Sequence, residues 1–212
     1  MKQYEYVLLD WDGNLAQTLD IWLECLKIPL EKRGYHLTDE EIGADYTAFK
    51  LRMQGHDSEI IDTIIDEAKE LALLRVPDVE LYPDALEVLE CLHKEGRKLA
   101  LVTRSEHVKI DLLLKKFNLS HLFDAVVCGD DVLNQKPHAE PLMKVLALLG
   151  GDTRHAIMVG DSSDDIKAAH NAGVGSALFY PAKHSIFYNL NTLKELRPTL
   201  VIEDFKELMQ LP

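Results

Sequence analysis

Short apolar runs recur along the chain, and most are separated by stretches with a helical period. The first, Tyr6-Val7-Leu8-Leu9, is cut off by Asp10. Others are Leu99 to Val102, Ala125 to Cys128, Ala156 to Val159 and Ser176 to Phe179, with a last one at Leu200 to Ile202. Runs this short, apolar at successive rather than alternate positions, predict strands buried on both faces. Ala85, Leu89 and Leu92 share one face of a helix that Pro83 opens and Gly96 closes. Ile110, Leu113, Leu114 and Phe117 fall at i, i+3, i+4 and i+7, a single apolar stripe. Helices are also predicted over Leu142 to Leu149 and Ile166 to Ala172, with Gly150 and Gly173 as stops. Strand and helix alternate from residue 83 onward, which predicts βαβ units and an α/β fold built on a Rossmann-like, mainly parallel sheet.

The stretch from about Leu19 to Glu80 breaks this alternation and holds no strand pattern. Ile60, Ile61, Ile64, Ile65, Ala68, Leu71 and Ala72 make a broad helical stripe, and an earlier helix is expected from Leu19 to Lys32. Pro29 lies inside that earlier helix and is expected to kink or break it. The simplest organisation is an α/β core made of residues 1–17 and 81–212, with a helical insert over 18–80. Pro77 and Pro83 bracket the return to the core.

Composition removes several function classes. The 212 residues carry 23 basic and 36 acidic side chains, a formal charge of -13, and contain no long Lys/Arg run. Such a chain repels a phosphate backbone, so nucleic acid is not an expected partner. No apolar run approaches the length of a spanning helix, and the N-terminal residues do not have the pattern of a signal peptide, so no membrane partner is expected. Cys25, Cys91 and Cys128 lack disulfide or zinc spacing and read as small buried hydrophobes, consistent with a reducing cytoplasm.

Three of the buried runs end in chemically related residues. The first leads into Asp10-Trp11-Asp12-Gly13-Asn14, the second into Thr103-Arg104-Ser105, and the fourth into Gly160-Asp161-Ser162-Ser163-Asp164-Asp165. Ligands of open parallel sheets sit at the carboxyl ends of strands, near the point where strand order reverses. Carboxylates, a hydroxyl and helix N-termini gathered at that edge suit a divalent cation and a phosphoryl group, with Mg²⁺ favoured by the hard oxygen ligands. Lys136, in Asn134-Gln135-Lys136-Pro137, supplies an ammonium to offset the charge of a carboxylate nucleophile.

Four of these segments carry a resemblance. DWDGNL at residue 10 resembles motif I, DxDG[TV]L, of the haloacid dehalogenase-like (HAD) hydrolases. LVTRS resembles their motif II, QKP their motif III lysine, and VGDSSDDIKAAHNAGV their motif IV. The motifs occur in the family's order over about residues 5 to 180, and the helical insert lies where the phosphoglycolate phosphatase and β-phosphoglucomutase subfamily has its cap. The resemblance implies the HAD fold and a Mg²⁺-dependent phosphatase acting on a small phosphorylated metabolite, as a monomer or homodimer. It makes Asp10 the nucleophile and Asp12 the acid and base. Mg²⁺ would be held by the Asp10 carboxylate, the Asp12 backbone carbonyl and the Asp161 carboxylate. Thr103 would bind the phosphoryl oxygens with Arg104 beside it, Lys136 would orient Asp10, and Asp165 would support the site. A phosphomutase would use the same residues and return the phosphoryl group, and a HAD-fold binding or regulatory protein would have no need of the intact set. A dehalogenase needs neither Asp12 nor a metal.

The sequence departs from the family pattern at four places. Asn14 stands for the usual Thr, Gln17 for the usual Asp, Ala139 for a common Pro, and Arg104 for a common Asn. The first two fall where the cap is coupled to the core. Within the insert, Lys50, Arg52 and His56 are candidates to meet an anionic part of the substrate, with Arg52 the chosen one, although a solvated basic patch accounts for them as well. Asp164 is expected to be a solvated first-turn acid.

Overall fold

The computed structural model describes residues 4–42 and 58–212. Six strands, β1 (Tyr6–Leu9), β2 (Lys98–Val102), β3 (Ala125–Val127), β4 (Ala156–Gly160), β5 (Gly175–Phe179) and β6 (Leu200–Ile202), form one sheet. Their order is β3-β2-β1-β4-β5-β6, and every neighbouring pair is parallel. Strand order therefore reverses between β1 and β4, which opens a crevice at their carboxyl ends.

The described helices are α1 (Leu19–Lys32), α2 (Asp39–Ile42), α3 (Ser58–Leu74), α4 (Ala85–Lys94), α5 (His107–Phe117), α6 (Glu140–Leu149), α7 (Ser163–Ala172) and α8 (Leu190–Glu195). Successive strand residues point to opposite faces, and both faces are covered. Val7, Leu9, Leu99, Leu101, Ile157 and Val159 pack with the apolar stripes of α4 and α5. Leu8, Ala100, Val102 and Met158 pack with Leu142, Val145 and Leu146 of α6 and Ala168 and Ala169 of α7. This double burial explains why the strands read as continuous apolar runs.

The insert between β1 and β2 builds its own cluster. Leu23, Cys25, Leu26 and Leu30 of α1 meet Ile42 of α2 and Ile61, Ile64, Ile65, Ala68 and Ala72 of α3. Helix α1 runs through Pro29 to Lys32, so the expected break does not occur. The proline lies in the last turn, and Arg33 Nη1 donates to the Pro29 carbonyl at 3.0 Å. The chain leaves and re-enters the core side by side. Gln17 N donates to Glu80 O at 2.8 Å and Tyr82 N to Leu15 O at 2.9 Å, and Ala16 and Leu81 form an antiparallel bridge. Lys50, Arg52 and His56 lie outside the described residues.

Of the cysteines, Cys25 and Cys128 are buried as expected, while Cys91 is half-buried on α4; all three are free thiols. No helix among the described residues is long and apolar enough to cross a membrane.

His184, in the short turn Ala182–Ile186 after β5, is fully buried. Its Nε2 lies 2.7 Å from the Tyr82 hydroxyl, and its ring meets Tyr82, Phe179, Tyr180 and Tyr188 edge to face. Burial, helped by the neighbouring Lys183 charge, pushes the imidazole from 6.5 down to about 3. The folded protein keeps this side chain neutral where the unfolded chain protonates it. Its contribution to stability is therefore present above about pH 6.5 and lost as pH falls from there towards 3. Between pH 7 and 5 the wild type should lose about 2 kcal/mol through this one group. Chemical-denaturation curves should show a smaller loss for His184→Gln; parallel curves for the two proteins would rule the account out.

Candidate active site

Asp10 follows β1 directly and is brought to the crevice by the two ladders that hold the strand, its own N donating to Val159 O at 2.9 Å. Its Oδ1 accepts from Trp11 N at 2.7 Å and lies 2.9 Å from Lys136 Nζ. Lys136 is 3% exposed. Its ammonium donates to Val102 O at 2.9 Å and to Asp165 Oδ1 at 2.6 Å, so a single cation links the carboxyl ends of β1, β2 and β4.

Motif IV is shaped by a capping box. Ser162 caps α7, and Asp165 at its third position returns the bond: Asp165 Oδ2 accepts from Ser162 N at 3.1 Å and from Ser162 Oγ at 2.6 Å. Asp161, just before the cap, is 1% exposed. Two glycines permit the close approach. A Cβ on Gly160 would lie 2.3 Å from Asp165 Cγ, and one on Gly13, whose φ is +73°, would lie 2.2 Å from Asp161 Oδ2.

Asp10, Asp161 and Asp165 thus present ligand oxygens within 4.8 Å of one another, all buried. Burial raises the carboxyls of Asp10 and Asp161 above the ordinary range, and mutual repulsion together with Asp165 adds to the effect; Lys136 offsets only part of it. Asp161 Oδ2 has no hydrogen-bond partner. Three carboxylates facing one ammonium, one of them with a buried unused oxygen, are a donor set that fits a hard divalent cation.

Asp12 belongs to a second network. Its Oδ1 accepts from Lys109 Nζ at 2.8 Å and its Oδ2 from Ser105 Oγ at 2.6 Å. Burial pushes its carboxyl upward, but the Lys109 charge and hydrogen bond, with the Ser105 and Thr18 hydroxyls, outweigh this and hold it below the usual range. Thr103, 4% exposed at the end of β2, accepts from Ser105 N through Oγ1 at 3.1 Å.

Arg104 Nη1 lies 2.5 Å from Asp164 Oδ2. Asp164 is 2% exposed, so the expectation of a solvated acid is overturned: the arginine after β2 draws it inward. Asn14 is fully buried and braces motif I, its Nδ2 donating to Asp10 O at 3.0 Å. Gln17 ties the two linkers together, donating to Leu81 O at 2.7 Å and accepting from Lys183 Nζ. Both departures from the family pattern therefore make specific bonds of their own. Arg52 lies outside the described residues.

Sequence reasoning missed Ser105 and Lys109 as partners of Asp12. No local signal pairs them with Asp12, because Ser105 precedes the cap of α5 and Lys109 lies in its first turn, 93 and 97 residues after Asp12.

Removing the shared cation should be costly. Lys136→Met should destabilise the metal-free protein by about 3 kcal/mol or more, because it strands buried carboxylates. Urea denaturation in the presence of a chelator measures this. A loss under about 0.5 kcal/mol, the scale of an ordinary surface substitution, would contradict the bonding described.

The haloacid dehalogenase-like hydrolase family profile matches residues 7–179. The chain is 38% identical to a phosphoglycolate phosphatase of Aliivibrio fischeri, over 98% of this chain and 96% of that protein. It is 30% identical to the pyrophosphatase PpaX of Halalkalibacterium halodurans, over 97% and 95% of the two chains. The fold is shared with a Bacteroides fragilis protein provisionally assigned as a haloacid dehalogenase-like hydrolase, with a TM-score of 0.87 at 23% identity over 97% of this chain and 99% of that one. With its sheet order, its motif positions and these likenesses agreeing, the chain belongs to the haloacid dehalogenase-like hydrolase family.

Proposed function

We infer that the chain is a Mg²⁺-dependent phosphatase that hydrolyses a small phosphomonoester through an aspartyl-phosphate on Asp10. The observation that carries this reading is the pairing of Asp10 with buried Lys136, beside Asp161 and Asp165, at the strand-order reversal. Both full-length relatives described above are named for acting on small phosphorylated compounds, and in each the group displaced from phosphorus is itself anionic.

Asp10 Oδ attacks phosphorus and the bond to the leaving oxygen breaks; Asp12, held ionised at rest by Lys109, takes up a proton from solvent as the substrate binds and gives it to that oxygen. Water then attacks the aspartyl-phosphate, Asp12 takes its proton, and phosphate leaves with Asp10 restored. Lys136 fixes Asp10 and cancels part of its repulsion for the phosphate, while Thr103 hydrogen-bonds the phosphoryl oxygens. A Mg²⁺ held by the Asp10 and Asp161 carboxylates and the Asp12 carbonyl would supply charge neutralisation. Asp165 keeps Lys136 in place. Arg104 is held through Nη1 by Asp164, and its guanidinium carries further N–H donors that can meet a substrate oxygen.

The paired linkers and the insert's separate cluster support a division into a core of residues 1–17 and 81–212 and a cap of 18–80. The cap would exclude water and contact the leaving group, with Arg52 as its candidate cation. Free thiols and the absence of a membrane-spanning helix among the described residues accord with a cytoplasmic enzyme.

Phosphate release should be measured on phosphoglycolate, sugar phosphates, nucleotides and pyrophosphate, with and without Mg²⁺. Asp10→Asn should abolish turnover with the fold intact, since the amide keeps the shape but cannot attack; near-normal release would sink the assignment. Asp161→Ala should abolish activity or demand far more Mg²⁺, and an unchanged magnesium dependence would remove Asp161 from the ligand set.

A further inference from the structure

The proposed reaction gives Asp12 two proton transfers, yet both of its carboxylate oxygens are already held. Lys109 Nζ reaches Oδ1 at 2.8 Å, Ser105 Oγ reaches Oδ2 at 2.6 Å, and Lys109 Nζ also donates to Ser105 Oγ at 3.2 Å, closing a ring of three side chains. Lys109 is out of place by local rules. It sits in the first turn of α5, where the helix dipole disfavours a cation, and that turn contains no acid to compensate. Its side chain is only 16% exposed. A half-buried ammonium in that position needs an anion, and the one it meets is Asp12, delivered by the loop after β1.

We propose that Lys109, assisted by Ser105, is the positioning residue for proton transfer by Asp12. Lys109 holds one oxygen in place, while the Ser105 hydroxyl can turn its proton away from the other, leaving that oxygen to carry a proton to the leaving oxygen and, once emptied, to take one from the attacking water. The carboxylate then acts from a fixed position and needs no rearrangement between the two half-reactions. This inference rests on the phosphatase reading, with Asp12 as acid and base.

The test uses three esters with different needs for a proton: glycerol phosphate, phosphoglycolate and p-nitrophenyl phosphate. The ratio kcat/KM covers events up to phosphoryl transfer, and p-nitrophenolate departs without a proton. Lys109→Met should lower kcat/KM for both alkyl esters about tenfold or more, part of the 10²–10⁴ that a positioned acid contributes. For p-nitrophenyl phosphate, kcat/KM should stay within about twofold, while kcat and KM fall together because hydrolysis of the aspartyl-phosphate still needs Asp12 as base. Lys109→Arg should recover most of the alkyl-ester rate. If Lys109→Met does not fold, Ser105→Ala should show the same split more weakly.

Equal loss on all three esters would make Lys109 structural and overturn the proposal. Loss confined to phosphoglycolate would make Lys109 a contact for the substrate carboxylate, which also overturns it, as would no change at all. A wild-type chain that releases phosphate from none of the esters would overturn the phosphatase reading, and this inference with it.

Discussion

The Lys136 ammonium, buried between Asp10 and Asp165, is the interaction on which the site depends. A lysine with 3% exposure is tolerated only where anions repay its desolvation. Two carboxylates and the Val102 carbonyl do so here, and in return they are fixed in direction. Asp161 adds a third buried carboxylate with an oxygen left unused, so the cluster as built holds more negative charge than its own cation neutralises. Burial raises the carboxyls of Asp10 and Asp161 and that surplus adds to it, which makes the same place receptive to a divalent cation.

The sheet creates this arrangement before any side chain is considered. Parallel strands deliver all their carboxyl ends to one edge, and the reversal between β1 and β4 puts Asp10 beside Asp161 with no intervening loop. The capping box at α7 then turns Asp165 back towards Lys136, and Gly160 leaves the space it needs. A second cation, Lys109, serves Asp12 separately. The two neighbouring acids of motif I therefore have different environments: one faces the carboxylate cluster, the other a lysine and a serine. Distinct environments are what allow two like groups to take different chemical parts.

Much of this could be read from the chain. The six apolar runs matched the six strands to within a residue or so at each end, because strands covered on both faces leave an uninterrupted apolar signature. That Lys136 orients Asp10 and that Asp165 supports the site was expected from the resemblance to the family's motifs. What escaped was set by contacts between segments distant in sequence. Asp164 read as a solvated acid because nothing local shows Arg104, 60 residues away, drawing it in. Nothing in the sequence singles out Lys109, because its partner lies 97 positions upstream. Pro29 does not break α1, because it falls in the last turn: it gives up one bond, to the Cys25 carbonyl, and only three helical residues follow it.

The central claim is that Asp10 carries the phosphoryl group during turnover. It is tested most directly by quenching the enzyme during steady-state hydrolysis of a phosphomonoester, reducing with borohydride, and mapping the modified residue by peptide mass spectrometry. An acyl-phosphate is reduced where a free carboxylate is not, so the account predicts conversion of Asp10 to homoserine, dependent on substrate and absent when phosphate ester is withheld. Reduction at another carboxylate, or active turnover with Asp10 unmodified under conditions that trap a known acyl-phosphate enzyme, would contradict it.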